Sequence, residues 1–184
     1  MTVDKTSGLK AYNENLNKVV RESLQQALLM LMDVKEFSKI SVTELCKKAG
    51  VSRMAFYGNF ASIDDLLEDI VREYSSDLVY RIGSPFRNGI KLSWYEQMFA
   101  RVEANSDILS LLFRAGFKYK YLSIINNSVL HNPDIPTHKK YLRLSWAGSI
   151  VNIIIYWIDN NLQESVSEIA KFCYQHLNKI AEKA

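Results

Sequence analysis

The segment from Ser41 to Phe60 constrains the fold of this chain more than any other. Ser41-Val42-Thr43-Glu44 has the Ser-x-x-Glu form of a capping box, in which the serine oxygen takes a free backbone amide and the glutamate reaches back. A short helix therefore starts there. It runs through Leu45 and Ala49 to Gly50, a residue that tolerates the left-handed conformation at a helix end. Ser52 then caps a second helix, Arg53 to Phe60. Two short helices joined at a glycine, with the apolar Val51 directly after it, have helix-turn-helix geometry. Leu45, Ala49, Val51, Phe56 and Phe60 form the inner face. Arg53, Met54, Ala55, Tyr57 and Asn59 are left at the front or flanks of the second helix, where side chains can enter a DNA major groove about 12 Å wide. On bare geometry an ordinary helical corner satisfies the same pattern.

The rest of the chain reads as helix after helix. From Leu16 the positions Val19, Val20, Leu24, Ala27, Leu28, Leu31 and Met32 recur at three and four, one stripe of an amphipathic helix ending near Asp33. Ser62-Ile63-Asp64-Asp65 caps a long helix through Leu66, Leu67, Ile70, Val71, Tyr74 and Leu78 to Ile82, stopped by Gly83-Ser84-Pro85. Ser93-x-x-Glu96 opens a helix to Ala104, Ser106 caps one to Arg114, and Lys118 to His131 is another. After the loop Asn132 to Pro136 comes the longest of these helices, Thr137 to Asn160, apolar on every side from Ile150 to Ile158 and so expected to be buried all round. A last box, Ser165-x-x-Glu168, begins a terminal helix with Ile169, Phe172, Cys173, Leu177 and Ile180 on one face. About nine helices and no strand make an all-α protein, as 7 Gly and 3 Pro in 184 residues would suggest.

Charge and composition exclude several functions and select none. The balance of 23 Lys and Arg against 20 Asp and Glu is too even to argue for nucleic acid by itself. Residues 1 to 60 hold nine basic side chains against six acidic ones, a mild surplus. Cys46 and Cys173 have no metal-ligand spacing and suit a reducing compartment as core thiols. The polar stretch Met1 to Lys10 lacks the apolar core of a secretory signal, and Trp146 to Ile158, interrupted by Gly148, Ser149 and Asn152, is too short and polar to span a bilayer. A soluble, cytoplasmic protein without a membrane partner is expected. His131, His138 and His176 have no metal-binding spacing, and there is no Gly-rich phosphate loop, His-Glu-x-x-His or nucleophile elbow, so neither enzyme, metal nor cofactor is expected.

The run Ser41 to Phe60, followed by Asp64-Asp65-Leu66-Leu67, resembles the N-terminal domain of TetR-type transcriptional regulators. The likeness covers roughly residues 16 to 72, and its Ala-Gly-Val-Ser, Phe-Tyr-x-x-Phe and Leu-Leu elements together are more specific than a lone glycine turn. It implies a three-helix DNA-binding head, residues 1–61, on a helical body, residues 62–184, that binds an effector and dimerises. Carried over residue by residue, it puts Ser41 and Thr43 on phosphates, Arg53, Met54 and Ala55 on base edges, and Tyr57 and Asn59 on the DNA backbone. The implied protein is a ligand-responsive repressor that binds a near-palindromic operator as a homodimer.

Three positions depart from the family pattern: Gly58 for a large polar or basic residue, Met54 for a frequent glycine, and Ile63 for a phosphate-binding lysine. They motivate the alternative of a degenerate head acting through a protein partner. In the body, Trp94, Phe99, Phe113, Phe117 and Tyr121, with Tyr119 nearby, are candidates for an apolar effector site, with plain core as the other reading of each. The apolar eighth helix and the terminal helix are candidates for a dimeric four-helix bundle.

Overall fold

A computed structural model describes residues 5–82, 86, 90–131 and 133–184, with side chains from Asn15 onward except 75–85, 87–89, 125, 128, 129 and 132. Gly83, Ser84, Pro85 and Asn132 lie outside the described residues, and so does the side chain of Leu78. The described residues form nine α-helices and one 3-10 turn, with no strand among them. They divide into two units, Met1–Ile70 and Val71–Ala184.

The first unit holds α1 (Lys5–Val34), a 3-10 turn (Phe37–Lys39), α2 (Val42–Ala49), α3 (Arg53–Tyr57) and the first turns of α4 (Ile63–Ile82). Helix α1 starts well before the expected Leu16. At 1.5 Å per residue its 30 residues span about 45 Å, longer than a unit of this size is wide. Only part of the apolar stripe is therefore covered. Leu24, Ala27, Leu28, Leu31 and Met32 are buried, whereas Leu16 and Val19 are exposed. Leu45, Phe56, Leu66 and Leu67 close the core from the other helices, with Phe60 from the link after α3.

The second unit contains α5 (Leu92–Ala104), α6 (Ser106–Arg114), α7 (Lys118–Leu130), α8 (Thr137–Asp159) and α9 (Val166–Ala181). Helix α8 packs against α6, α7 and α9, and α9 also lies along α5. Two tryptophans of α8 organise the interior. The Trp157 ring is fully buried, edge-on to Phe99 at 5.4 Å, and its indole N–H donates to the Glu164 carbonyl at 2.9 Å. That bond holds the turn into α9, where Asn161 and Leu162 take left-handed φ values of 56° and 53°. The Trp146 indole donates to the Tyr95 hydroxyl at 3.0 Å, and burial pushes the Tyr95 pKa up to about 12.

Two expected caps are absent. Helix α5 begins at Leu92 after Lys91, so Ser93 sits inside it, and Asn105 precedes α6, so Ser106 is that helix's first residue rather than its cap. Asn105 serves as C-cap of α5 and N-cap of α6 at once, so Ser106 is already helical and cannot be the extended residue that accepts the amides ahead of it. Nor is α8 covered on every side. Ile150, Val151, Ile154, Trp157 and Ile158 are buried, but Asn152 is exposed and Tyr156 is 66% exposed. By length and composition alone α8 could cross a membrane; here those five side chains are core. On α9 the covered face is Ala170, Cys173, Leu177, Asn178 and Ala181, with Phe172 exposed. The small residues on that face let α9 lie close to its neighbours, which turns Phe172 outward.

The Ser165 box is complete. Ser165 Oγ accepts from the Glu168 amide at 3.3 Å, and a Glu168 carboxylate oxygen accepts from the Ser165 amide at 2.8 Å. The Ser165 hydroxyl and amide hold the Glu168 carboxyl below its ordinary pKa. Ser165→Ala is expected to lower stability in chemical denaturation by about 1 kcal/mol at neutral pH. Because the folded pKa of Glu168 is the lowered one, its contribution is present above the ordinary carboxylate pKa and is lost as pH falls through the folded value. The gap between wild type and variant should therefore narrow in acid.

Candidate nucleic-acid interface

The geometry of Ser41 to Phe60 follows from local chemistry. Ser41 Oγ accepts from the Glu44 amide at 3.2 Å and starts α2. The Glu44 carboxylate meets Lys35 Nζ at 2.8 Å, and that bond and charge, with help from the Ser41 amide, hold its pKa below the ordinary value. At the other end Gly50 takes φ 69°, ψ 26°, a left-handed conformation that a residue with a Cβ reaches only at a cost. Its amide and that of Val51 both donate to the Cys46 carbonyl. Ser52 then accepts from the Ala55 amide at 3.0 Å and starts α3.

Phe56 anchors α3. It is fully buried, edge-on to Tyr57 at 5.2 Å and 6.2 Å from the Phe60 ring. Helix α3 ends at Tyr57, earlier than expected, because the amides of Asn59 and Phe60 both turn back to the Phe56 carbonyl. The Asn59 side-chain amide donates to the Ala55 carbonyl at 2.8 Å, so part of its donor capacity finishes the helix.

Arg21 of α1 secures this end of the head. Its guanidinium lies 4.4 Å over the Phe60 ring, pairs with Asp69 of α4 at 2.6 Å and reaches the Asn59 carbonyl at 3.4 Å. Gln25 donates to the same Asp69 oxygen at 3.1 Å. Sequence reasoning assigned Arg21 no role, since its partners are up to 48 positions away and no local pattern marks them.

The two groups of candidate DNA contacts differ in what they leave free. Ser41 and Thr43 are exposed at the start of α2, and Arg53, Met54 and Tyr57 are exposed along α3, Met54 by 82% and Tyr57 by 51%. Ala55 and Asn59 are half-buried beneath them. Lys47 and Lys48 are exposed in the last turn of α2. Ile63 is half-buried at the start of α4, where two backbone amides are taken by the chain's own side chains: Ala61 donates to Asp65 at 2.9 Å and Asp65 to Ser62 Oγ at 3.1 Å. Cys46 is buried behind α2, and burial pushes its thiol pKa up, which disfavours the reactive thiolate.

The ring contacts of the body's aromatic candidates fall into separate groups. Phe113 and Tyr121 meet edge-on at 6.3 Å, and Phe117 is buried with Lys120 5.4 Å from its ring. Burial pushes the Tyr121 pKa up to about 12. Phe99 belongs with Trp157, whereas Trp94 is half-buried against Tyr95 and Trp146. Tyr119 is exposed. Among the described residues no three His, Cys, Asp or Glu side chains cluster as metal ligands would.

Residues 26–70 match the family model for bacterial regulatory proteins of the tetR family. No curated protein matches the chain. Among solved structures it is similar to the dihydroxyacetone kinase operon activator DhaS, with a TM-score of 0.61 and 18% identity over 88% of this chain and 97% of that one. It is similar also to a TetR transcriptional regulator from Streptococcus agalactiae, with a TM-score of 0.60 and 16% identity over 92% and 99%. The fatty acid degradation regulator FadR from Bacillus halodurans follows at 0.54 and 13% identity over 86% and 94%. At such identities these likenesses establish the fold.

If Arg21 secures the end of α3, Arg21→Ala should lower the denaturant stability of the first unit by about 1–2 kcal/mol, from the lost ring contact and ion pair together. Lys18→Ala, whose pair with Glu22 is exposed, should change it by less than about 0.5 kcal/mol.

Proposed function

We propose that this chain, of the TetR type in its head and in its fold, is a homodimeric, ligand-responsive repressor that binds a near-palindromic operator through α2 and α3. The observation that carries the reading is the exposed row Arg53, Met54 and Tyr57 on a helix whose opposite side is pinned by Phe56. A guanidinium such as that of Arg53 suits the O6 and N7 acceptors of guanine, and Tyr57 suits the DNA backbone. The Ser41 oxygen accepts from its own helix, which leaves its O–H to donate to a phosphate, with Thr43 beside it. Ala55 packs close to the base edges, and Asn59 retains one amide hydrogen for the backbone.

Residues 1–61 form the reading head and 62–184 the body that responds and dimerises. Tyr156 on α8 and Phe172 on α9 present outward apolar surface, which supports pairing of these two helices with their copies in a four-helix bundle. Two heads related by a twofold would read two half-sites. The effector is a small molecule of unknown identity, taken up among the aromatic side chains of the body, with Trp94, Phe99, Phe113, Phe117 and Tyr121 as candidate contacts. Its binding and operator binding are reciprocally coupled. Such a protein works in the cytoplasm and needs no catalytic group, metal or cofactor.

A second reading has a specific observation in its favour. At the start of α4 the Ala61 and Asp65 amides are taken by the chain's own side chains and Ile63 stands in place of a cation, which removes one phosphate site and suits a head that acts through a protein partner.

Fluorescence anisotropy separates the two. The full chain should prefer its own upstream DNA to a scrambled duplex, lose affinity as salt rises, and bind about tenfold or more weakly as Arg53→Ala or Tyr57→Ala. A folded dimer with no preference among genomic fragments would favour the partner-dependent head.

A further inference from the structure

We propose that Met54 selects thymine, through its C5-methyl group, at one position of the half-site that α3 meets. This rests on the operator-binding reading and adds a base that the operator must contain. Helix α3 exposes three long side chains, and they differ in chemistry. Arg53 donates hydrogen bonds, and Tyr57 both donates and accepts them. Met54 donates none, and its thioether is a weak acceptor, so it cannot read a hydrogen-bonding pattern. The apolar group that the major groove offers such a side chain is the thymine methyl.

The surroundings of Met54 suit that contact. Leu45, Phe56 and Phe60 fill the core beneath α3, so Met54 contributes almost none of its surface to it. Four residues on, where a helical neighbour would cover it, stands Gly58. Having no side chain, Gly58 lays nothing of its own over Met54 from that position. Three residues on stands Tyr57, its ring held edge-on to Phe56 at 5.2 Å. Met54 is thus an unbranched, adaptable side chain between a fixed ring and an empty position, able to follow a methyl group on the groove floor. The exposed cations nearby, Arg53 on α3 and Lys47 and Lys48 on α2, complement a polyanion rather than an apolar protein surface.

The test uses the full chain and a random-sequence duplex pool. The duplex most enriched by selection is resynthesised with deoxyuridine in place of thymidine, one position at a time, which removes the methyl and nothing else. Affinities are measured for wild type, Met54→Leu and Met54→Ala. One thymine should stand out, its methyl worth about three- to fivefold in wild-type affinity. Met54→Leu should keep that preference, and Met54→Ala should bind the two duplexes alike. Coincident thermal melting of wild type and Met54→Ala would assign the change to the contact rather than to the fold. Uracil tolerated everywhere, or a penalty that persists in Met54→Ala, overturns the proposal while leaving operator binding intact. A pool that yields no preferred duplex overturns the operator-binding reading and this proposal with it.

Discussion

The presentation of α3 depends on where Arg21 puts its guanidinium. A five-residue helix has too few internal hydrogen bonds to hold itself, so its orientation must come from what grips its ends. Gly50 and Ser52 grip the first end through backbone conformation and a cap. At the second, Phe56 and Phe60 are buried, and Arg21 lies over Phe60 while it binds Asp69 and the Asn59 carbonyl. One cation thus joins α1, the link after α3, and α4. Because it serves an aromatic ring, a carboxylate and a carbonyl at once, its replacement by lysine would not reproduce the arrangement.

That arrangement has a consequence for what the head can offer DNA. Several polar groups near the expected contact surface are already used inside the protein: Lys35 on Glu44, part of the Asn59 amide on Ala55, and the Ala61 and Asp65 amides on Asp65 and Ser62 side chains. What remains outward is concentrated on α3 and the two ends of α2. The sequence-independent part of binding should therefore be modest, and discrimination should rest on few side chains. In the body the same economy appears as pairing between aromatics. Trp146 with Tyr95, and Trp157 with Phe99, bury large rings while giving each indole N–H a partner.

The parts legible in the sequence are those set by short-range chemistry. The Ser41 and Ser52 caps, the left-handed Gly50 and the complete Ser165 box each need only residues within one turn, and each is formed. The same Ser-x-x-Glu spacing at Ser93 fails because the helix starts two residues earlier, with Lys91 at its N-cap, and Ser106 fails because α5 runs directly into α6. Such offsets are decided by tertiary packing. Periodicity also could not choose between two apolar faces of α9, since Cys173 and Leu177 belong to the covered face while Phe172 looks outward. Arg21 and Asp69 were invisible because only the folded chain brings them together. The candidate DNA contacts were named from their place on the helix and from the family resemblance, and the structure adds which of them are exposed.

Reading of double-stranded DNA by α3 is tested most directly by hydroxyl-radical footprinting of the full chain on its own upstream DNA. Two protected stretches on one face of the duplex, related by a dyad and about one helical turn or a multiple of it apart, are expected. Both should vanish together with Tyr57→Ala. Uniform cleavage at protein concentrations where the chain is a folded dimer, or a footprint that Tyr57→Ala leaves unchanged, would contradict it.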